Sequence, residues 1–226
     1  VPPDLVDTRV LPDVRNAMMA LMATRSPRRS GQVGRPGYDL ESLLAIAVGV
    51  FNQRGYDGTS MDHLSQRLGI SKSSIYHHVP GKAELLRLAV DRALDALFAV
   101  TEEPETTSGP AIERLEHLVR RSVIILSENL PYVTLLLRLR GNTTVERRAI
   151  ARRREFDRFV SELVREASEE GALRPDLDPD LTAKLIFGTV NSLIEWYRPS
   201  RQVTADELAN TLVTLAFDGL RTRPSR

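Results

Sequence analysis

From Leu40 towards the C-terminal end, apolar residues recur at three- and four-residue spacing, and strand-type alternation is scarce. That period commits the chain to an all-α fold. Leu40, Leu43, Leu44, Ala47, Val48 and Phe51 form one stripe over Asp39–Arg54, which Gly55 stops. Thr59 or Ser60 caps a second helix with Met61, Leu64 and Leu68 inward, and Gly69 breaks it. Ser71 caps a third helix that ends before Pro80. Gly81 and Lys82 open a fourth, running to about Val100 through Leu85, Leu86, Ala89, Ala93 and Leu97. TEEPETTSGP at 101–110 reads as a polar linker and domain boundary. Five helical segments follow, at about 111–128, 131–140, 143–170, 178–198 and 204–221. Pro131 and Pro179 fall at helix starts, where a missing N–H costs little; Asp178 is the N-cap of the second of these. The expected architecture has about nine core helices.

A chain of 226 residues is long enough for one large or two small domains with a real core. Its formal net charge of +1 excludes a globally basic nucleic-acid coat, so any such footprint must be local. The lack of cysteine excludes disulfides and thiolate zinc sites and fits a reducing cytosol. No apolar run approaches the roughly 18 residues that span a bilayer. The start, VPPDLVDTRV, lacks the basic-then-apolar pattern of a secretory signal. The expected location is cytoplasmic, without a membrane partner. Residues 1–36 are an extension in which Leu11–Thr24 has the pattern of a short Met-rich helix. RSPRRSGQVGRPG at 25–37 is basic, rich in Pro and Gly and free of acids, as a flexible arm would be.

The densest signal is DGTSMDHLSQRLGISKSSIYHHVPGK, Asp57 to Lys82. Two short helices that cross closely need small residues at fixed places, which Ser65 and Gly69 supply. Ile70 and Ile75 act as apolar pins beside Leu64 and Leu68. With those inward, Lys72, Ser73, Ser74, Tyr76 and His77 face out. An exposed face of hydroxyls without an acid suits a nucleic-acid groove, since Ser can bond base edges or phosphates. The free N–H groups of the helices starting near Ser60, Ser71 and Gly81 favour an anion. Lys82, in a first turn, opposes that dipole unless a phosphate lies opposite; its other reading is an ordinary surface lysine. The motif, about 60–79, is that of a helix-turn-helix placing one helix in a DNA major groove.

The run from Leu43 to Leu86 resembles the DNA-binding domain of TetR-type transcriptional regulators. The likeness rests on Phe51, Gly55-Tyr56, Thr59-Ser60, Leu64, Gly69-Ile70-Ser71, Ile75-Tyr76, His78, Lys82 and Leu85. It covers about residues 37–97. Ser65 stands where that family often has Ala, and Val79 where Phe is usual. The resemblance implies that Thr59 touches phosphate and that Lys72, Ser73 and Ser74 read base edges or adjacent phosphates. It further implies that Tyr76 and His77 clasp the backbone and that Lys82 binds phosphate, while His78 packs or bonds locally. Ser60 and Ser71, at the helix starts, complete the set. Arg35 in the basic arm either enters the adjacent minor groove or belongs to a solubilising tail.

For residues 98–226 the resemblance implies a helical ligand-binding and dimerisation domain. Leu181, Leu185, Ile186, Thr189, Val190 and Leu193 share a broad face at about 178–198, with Gly188 allowing close approach. Leu208, Leu212, Leu215 and Ala216 do so at about 204–221. These faces form half of a symmetric four-helix homodimer interface, or pack on their own subunit. A dimer places two reading helices on two half-sites. A pocket is expected between the helices at 111–170 and 178–198. Its candidates are Leu135, Leu136, Leu139, Phe156, Phe159, Val160, Asn191, Ile194 and Trp196, all of which also fit a core. VERRAIARRREFDR at 145–158 either neutralises an anionic ligand such as an acyl-CoA thioester or forms a solvated, ion-paired helix. The four histidines have no metal spacing, and no nucleophile elbow or phosphate loop occurs, so no catalytic residue, metal or cofactor is expected. The expected function is a repressor released from a palindromic operator in double-stranded DNA by a small-molecule effector. The alternative is a ligand-independent architectural DNA-binding protein; an enzyme is disfavoured.

Overall fold

A computed structural model describes residues 39–199 and 203–220. Among them are ten helices and no strand. They are α1 (Leu40–Arg54), α2 (Met61–Leu68), α3 (Lys72–Tyr76), α4 (Lys82–Thr101) and α5 (Pro104–Thr107). After these come α6 (Ala111–Glu128), α7 (Leu130–Leu137), α8 (Thr144–Glu169), α9 (Pro179–Trp196) and α10 (Ala205–Leu220). The expected Leu11–Thr24 helix, the basic arm and Arg35 lie outside the described residues. No helix among those described is long and apolar enough to cross a membrane.

Helix boundaries follow capping chemistry. Asp39 accepts the Ser42 N–H at 2.8 Å, Thr143 caps α8 through the Glu146 N–H, and Asp178 caps α9 through the Leu181 N–H. Gly55, with φ +78°, ends α1 in a conformation costly for a residue bearing Cβ. Helix α7 starts without a side-chain cap; Pro131 in its first turn has no N–H to leave unpaired.

Two apolar clusters carry the fold. The first joins α1–α4 through Phe51, Leu64, Ile75, Leu85 and Leu86, and also takes Tyr132, Leu135 and Leu136 from α7 and Ala149 from α8. The second is built by α6 and α8–α10 around Leu115, Leu118, Phe156, Leu163 and Phe217. Helix α4 enters both, giving Ala89 and Leu94 to the first and Val100 to the second.

The stretch at 101–110, expected as a polar linker, is instead packed. It contains α5, with Thr106 fully buried, and Arg114 Nε donates to the Thr106 carbonyl at 2.8 Å. Glu103 is bonded to His117 at 2.6 Å and paired with Arg121 at 3.0 Å. Burial alone would raise the Glu103 carboxyl, but Arg121 and His117 outweigh it and hold the group below the usual range. Glu103, Glu105 and His117 bring possible ligand atoms within 4.8 Å of one another. The Arg121 guanidinium already occupies that carboxylate, so the cluster reads as a brace of α5 on α6.

Helix α8 is 26 residues long, about 39 Å at 1.5 Å per residue. Its first turn lies by the α1–α2 loop. The buried Glu146 carboxylate accepts the N–H groups of Gly141 and Asn142 at 2.7 and 2.8 Å, and Asn142 Nδ2 donates to Asp57 at 2.8 Å. Farther along, Arg152 pairs with Asp95 of α4 at 2.9 Å, and the next residues line an internal chamber.

Candidate nucleic-acid interface and effector site

The α2–α3 unit is assembled by short-range bonds. Ser60 caps α2: its hydroxyl accepts the His63 N–H at 3.2 Å, and its own N–H donates to His63 Nδ1 at 3.3 Å. This is a capping box with histidine where Glu or Gln is usual, and the sequence reading missed it. Gly69 turns the chain with φ +66°, and Ile70 N–H reaches back to the Ser65 carbonyl at 3.2 Å. Leu64, Leu68, Ile75 and Val79 seat the unit on the first cluster; Ile70, expected as a pin, is only half-buried.

The solvent face of α3 carries Lys72, Ser73, Tyr76 and His77, with Ser74 half-buried beside them. Ser71 accepts the Ser74 N–H at 3.2 Å, and its hydroxyl lies 2.8 and 2.9 Å from those of Ser73 and Ser74. Three hydroxyls are therefore pooled at the start of α3. Tyr76 is 51 % exposed, unusual for so large an aromatic side chain. Lys72 forms a solvent-exposed pair with Asp62 of α2 at 2.8 Å, whose hydrogen bond raises the Lys72 pKa.

Thr59 requires correction. Thr59 is 2 % exposed; its hydroxyl donates to the Gly55 carbonyl at 2.8 Å and its N–H to the Tyr56 carbonyl at 3.1 Å. With both donors spent inside the loop, it shapes the approach to α2 and has none to offer a phosphate. Lys82 is not an ordinary surface lysine. Its Nζ donates to the carbonyls of Tyr56 and Thr59 at 3.0 and 2.9 Å and lies 4.4 Å from the centre of the Tyr56 ring. Tyr56 in turn packs edge-on against Phe51 at 5.3 Å, and burial, with Glu146 and Asp57 adding to it, raises its hydroxyl pKa. An ammonium has three donors, so one N–H of Lys82 remains beside the α4 N-terminus, which has no side-chain cap. The spacing of Tyr56, Thr59 and Lys82 carries no local signal, which is why the clamp was invisible in the sequence.

The second half holds a chamber of about 50 Å³ between α4, α6, α7, α8 and α9. Of the expected pocket residues, Leu136, Phe156 and Asn191 line it. The others are elsewhere. Leu135 and Leu139 face a separate groove against the α1–α2 loop, while Phe159 and Ile194 pack into the second cluster. Val160 lines an outer groove between α8 and α9. Trp196 is 59 % exposed on the outside of α9. The outer groove, about 710 Å³, meets the chamber at Arg153, Asp157, Phe187 and Asn191. Arg154, Arg158 and Lys184 add positive charge along it. Arg165 also lines it, paired with Glu162 and Asp180. The sequence reading found the basic run but not Lys184, which one helix pattern cannot connect to another.

The C-terminal helices are two-faced. Ile186, Val190, Leu193, Leu208 and Leu212 are buried, whereas Leu181, Leu185, Trp196 and Leu215 are 56, 63, 59 and 76 % exposed. These members are left largely open to solvent on their own subunit, although the Trp196 ring lies edge-on to that of Tyr197 at 6.3 Å.

Residues 43–89 match the family described as bacterial regulatory proteins, tetR family, and residues 108–220 the tetracyclin repressor-like C-terminal domain. SCO3833 of Streptomyces coelicolor A3, a member of the TetR transcriptional regulator family, is 55 % identical with a TM-score of 0.76, over 81 % of this chain and 92 % of that one. The HTH-type transcriptional repressor KstR2 of Mycobacterium tuberculosis is 26 % identical over 79 % of this chain and 90 % of its own. The structure of that ketosteroid transcriptional regulator superposes with a TM-score of 0.74, over 87 % of this chain and 100 % of that one. AibR, in complex with isovaleryl coenzyme A and operator DNA, shares the fold at 23 % identity and a TM-score of 0.65, over 78 % of this chain and 97 % of that one. The chain belongs to the TetR family of bacterial transcriptional regulators.

Proposed function

We propose that the protein is a ligand-controlled repressor: a homodimer that holds a palindromic operator until a small molecule releases it. The observation that carries this reading is the acid-free solvent face of α3, where the pooled hydroxyls of Ser71, Ser73 and Ser74 stand beside exposed Tyr76 and His77. Ser73 and Ser74 read base edges, with Lys72 free to leave its exposed pair with Asp62 for a phosphate. Ser60, Ser71, Tyr76 and His77 hold the DNA backbone, as does the spare N–H of Lys82. Arg35, from the basic arm, reaches the adjacent minor groove. Thr59 acts through the loop shape alone.

One such unit makes too few contacts for specific binding, and a two-fold dimer supplies the second about 34–36 Å away. The exposed apolar faces of α9 and α10 supply its interface, in which Leu185, Trp196 and Leu215 of two copies bury one another. The effector is an amphiphile of the acyl-CoA type, its apolar group in the chamber and its anionic part on the basic groove. Because α8 borders both that site and the α1–α2 loop, ligand binding shifts the population towards a spacing of reading helices that no longer fits successive major grooves. A ligand-free architectural role would call for a sealed C-terminal half, and the chamber weighs against it. The role is binding rather than catalysis, exercised in the cytosol.

Selection of duplexes from a randomised pool by the full chain tests the DNA reading. An inverted repeat with half-sites one helical turn apart is expected. Retention of all sequences with equal affinity would overturn the assignment of a sequence-reading helix.

A further inference from the structure

The chamber and the basic groove share a junction of four residues, and one is an acid. Arg153, Asp157, Phe187 and Asn191 line both spaces, so a ligand occupying both would run beside Asp157. Asp157 sits at the rim of α8, in contact with solvent, yet the groove walls crowd it. Burial pushes its carboxyl up, against the opposing pull of Arg153, Arg154 and Lys184. Among the described residues it forms no ion pair within 4.0 Å. A negative charge thus stands where a ligand's apolar part would join its charged part.

We propose that Asp157 is a specificity-determining residue of this site, excluding free carboxylic acids and admitting apolar groups joined to a multiply charged anion by an uncharged, hydrogen-bond-donating linker. This rests on the effector reading above. A free acid whose tail fills the chamber brings its carboxylate against that of Asp157, and the like charges repel. A thioester carbonyl brings no charge to the same place, and the amide N–H groups of a pantetheine-like linker beyond it donate to the Asp157 oxygens. The phosphates then lie along Arg154, Arg158 and Lys184, which line the groove. Arg153, Arg154 and Lys184 attract a ligand carboxylate as well; Asp157 weakens that attraction, and its replacement by Asn restores it.

Chamber size selects the probe. A void of about 50 Å³ has room for only a short chain, so a short acyl group, hexanoyl, is the probe. Calorimetric titration of the full chain with hexanoyl-CoA, free coenzyme A and hexanoate, repeated on Asp157→Asn, tests the proposal. Hexanoyl-CoA should bind the natural chain, and hexanoate should bind Asp157→Asn at least about tenfold more tightly than the natural chain. The thioester affinity should fall or stay level but not rise, since the linker amides lose a charged acceptor and no repulsion is relieved. An unchanged ratio of acid to thioester affinity in Asp157→Asn overturns the filter while leaving the effector reading intact. Failure of hexanoyl-CoA to bind either form, with both folded by thermal melting, overturns the effector reading and the filter with it.

Discussion

The helix-turn-helix unit and the chamber between α4 and α6–α9 are built by different rules. In the reading unit the serine hydroxyls are held by neighbours a few residues away: Ser60 by His63, Ser71 by Ser73 and Ser74. The chamber has no such local order. Leu136, Phe156 and Asn191 line it, while Leu135, Phe159 and Ile194, similar residues on the same helices, do not. Which residue faces the gap is decided by how five helices meet. The lesson is that a reading unit should be sensitive to single polar atoms, and a chamber to changes in side-chain volume.

The largest expected effect tests whether the two regions depend on each other. Leu185→Asp with Leu215→Asp puts charge on the exposed faces of α9 and α10 and should leave a folded monomer in sedimentation velocity. Its operator affinity should fall towards the sequence-independent level, a gap of about 4–10 kcal/mol for specific binders. A monomer that still bound the operator tightly would break the dimer reading.

Next comes volume. Phe156 is 1 % exposed and packs edge-on against Phe98 and Phe187, with ring centres 5.9 and 5.3 Å away. Phe156→Ala should cost about 3–5 kcal/mol in urea denaturation. A much smaller loss would mean that the chamber wall collapses freely and is not a built cavity.

Single polar atoms follow. Ser73→Ala or Ser74→Ala should alter base preference by about 1–3 kcal/mol at one position of each half-site. Equal loss on all sequences would turn the hydroxyls into backbone contacts. Lys82→Met keeps the stem but strips donors from the Tyr56 and Thr59 carbonyls. It should cost about 1–3 kcal/mol of stability and reduce the salt slope of DNA binding by about one unit for each phosphate it leaves without a cation. A stability loss with an unchanged slope would make Lys82 a clamp only.

The smallest effect is on the acid limb. The Glu103 carboxyl is depressed in the folded chain, so its contribution is present above the unfolded value near 4.5 and is lost as pH falls through the folded one. Glu103→Gln should lower the neutral plateau and flatten acid unfolding below that pH. An unchanged acid limb would contradict the brace of α5 on α6.

Legibility in the sequence followed the same division. Helix spans were readable because caps and periodicity are local: Ser60, Ser71 and Asp178 cap where expected, and Asp39, read as the first residue of α1, is its cap. The outward set on α3 followed from the inward pins. Contacts between distant residues were not readable. Lys82 bonds across 26 positions to Tyr56, and the burial of Thr59 depends on that loop. The polar composition of 101–110 concealed a packed turn because its bonds are to α6. The apolar pattern of α9 could not reveal that Ile186 and Leu185, adjacent in sequence, face core and solvent.

The most direct test of ligand control is operator release read against ligand binding. A selected operator held by the full chain is titrated with hexanoyl-CoA and followed by fluorescence anisotropy; thioester binding is then measured with and without operator. Release at concentrations that track thioester binding is expected. Linkage requires operator and thioester to weaken each other by the same factor. Equal operator affinity with and without saturating thioester would contradict the coupling of the α8–α9 site to the reading helices.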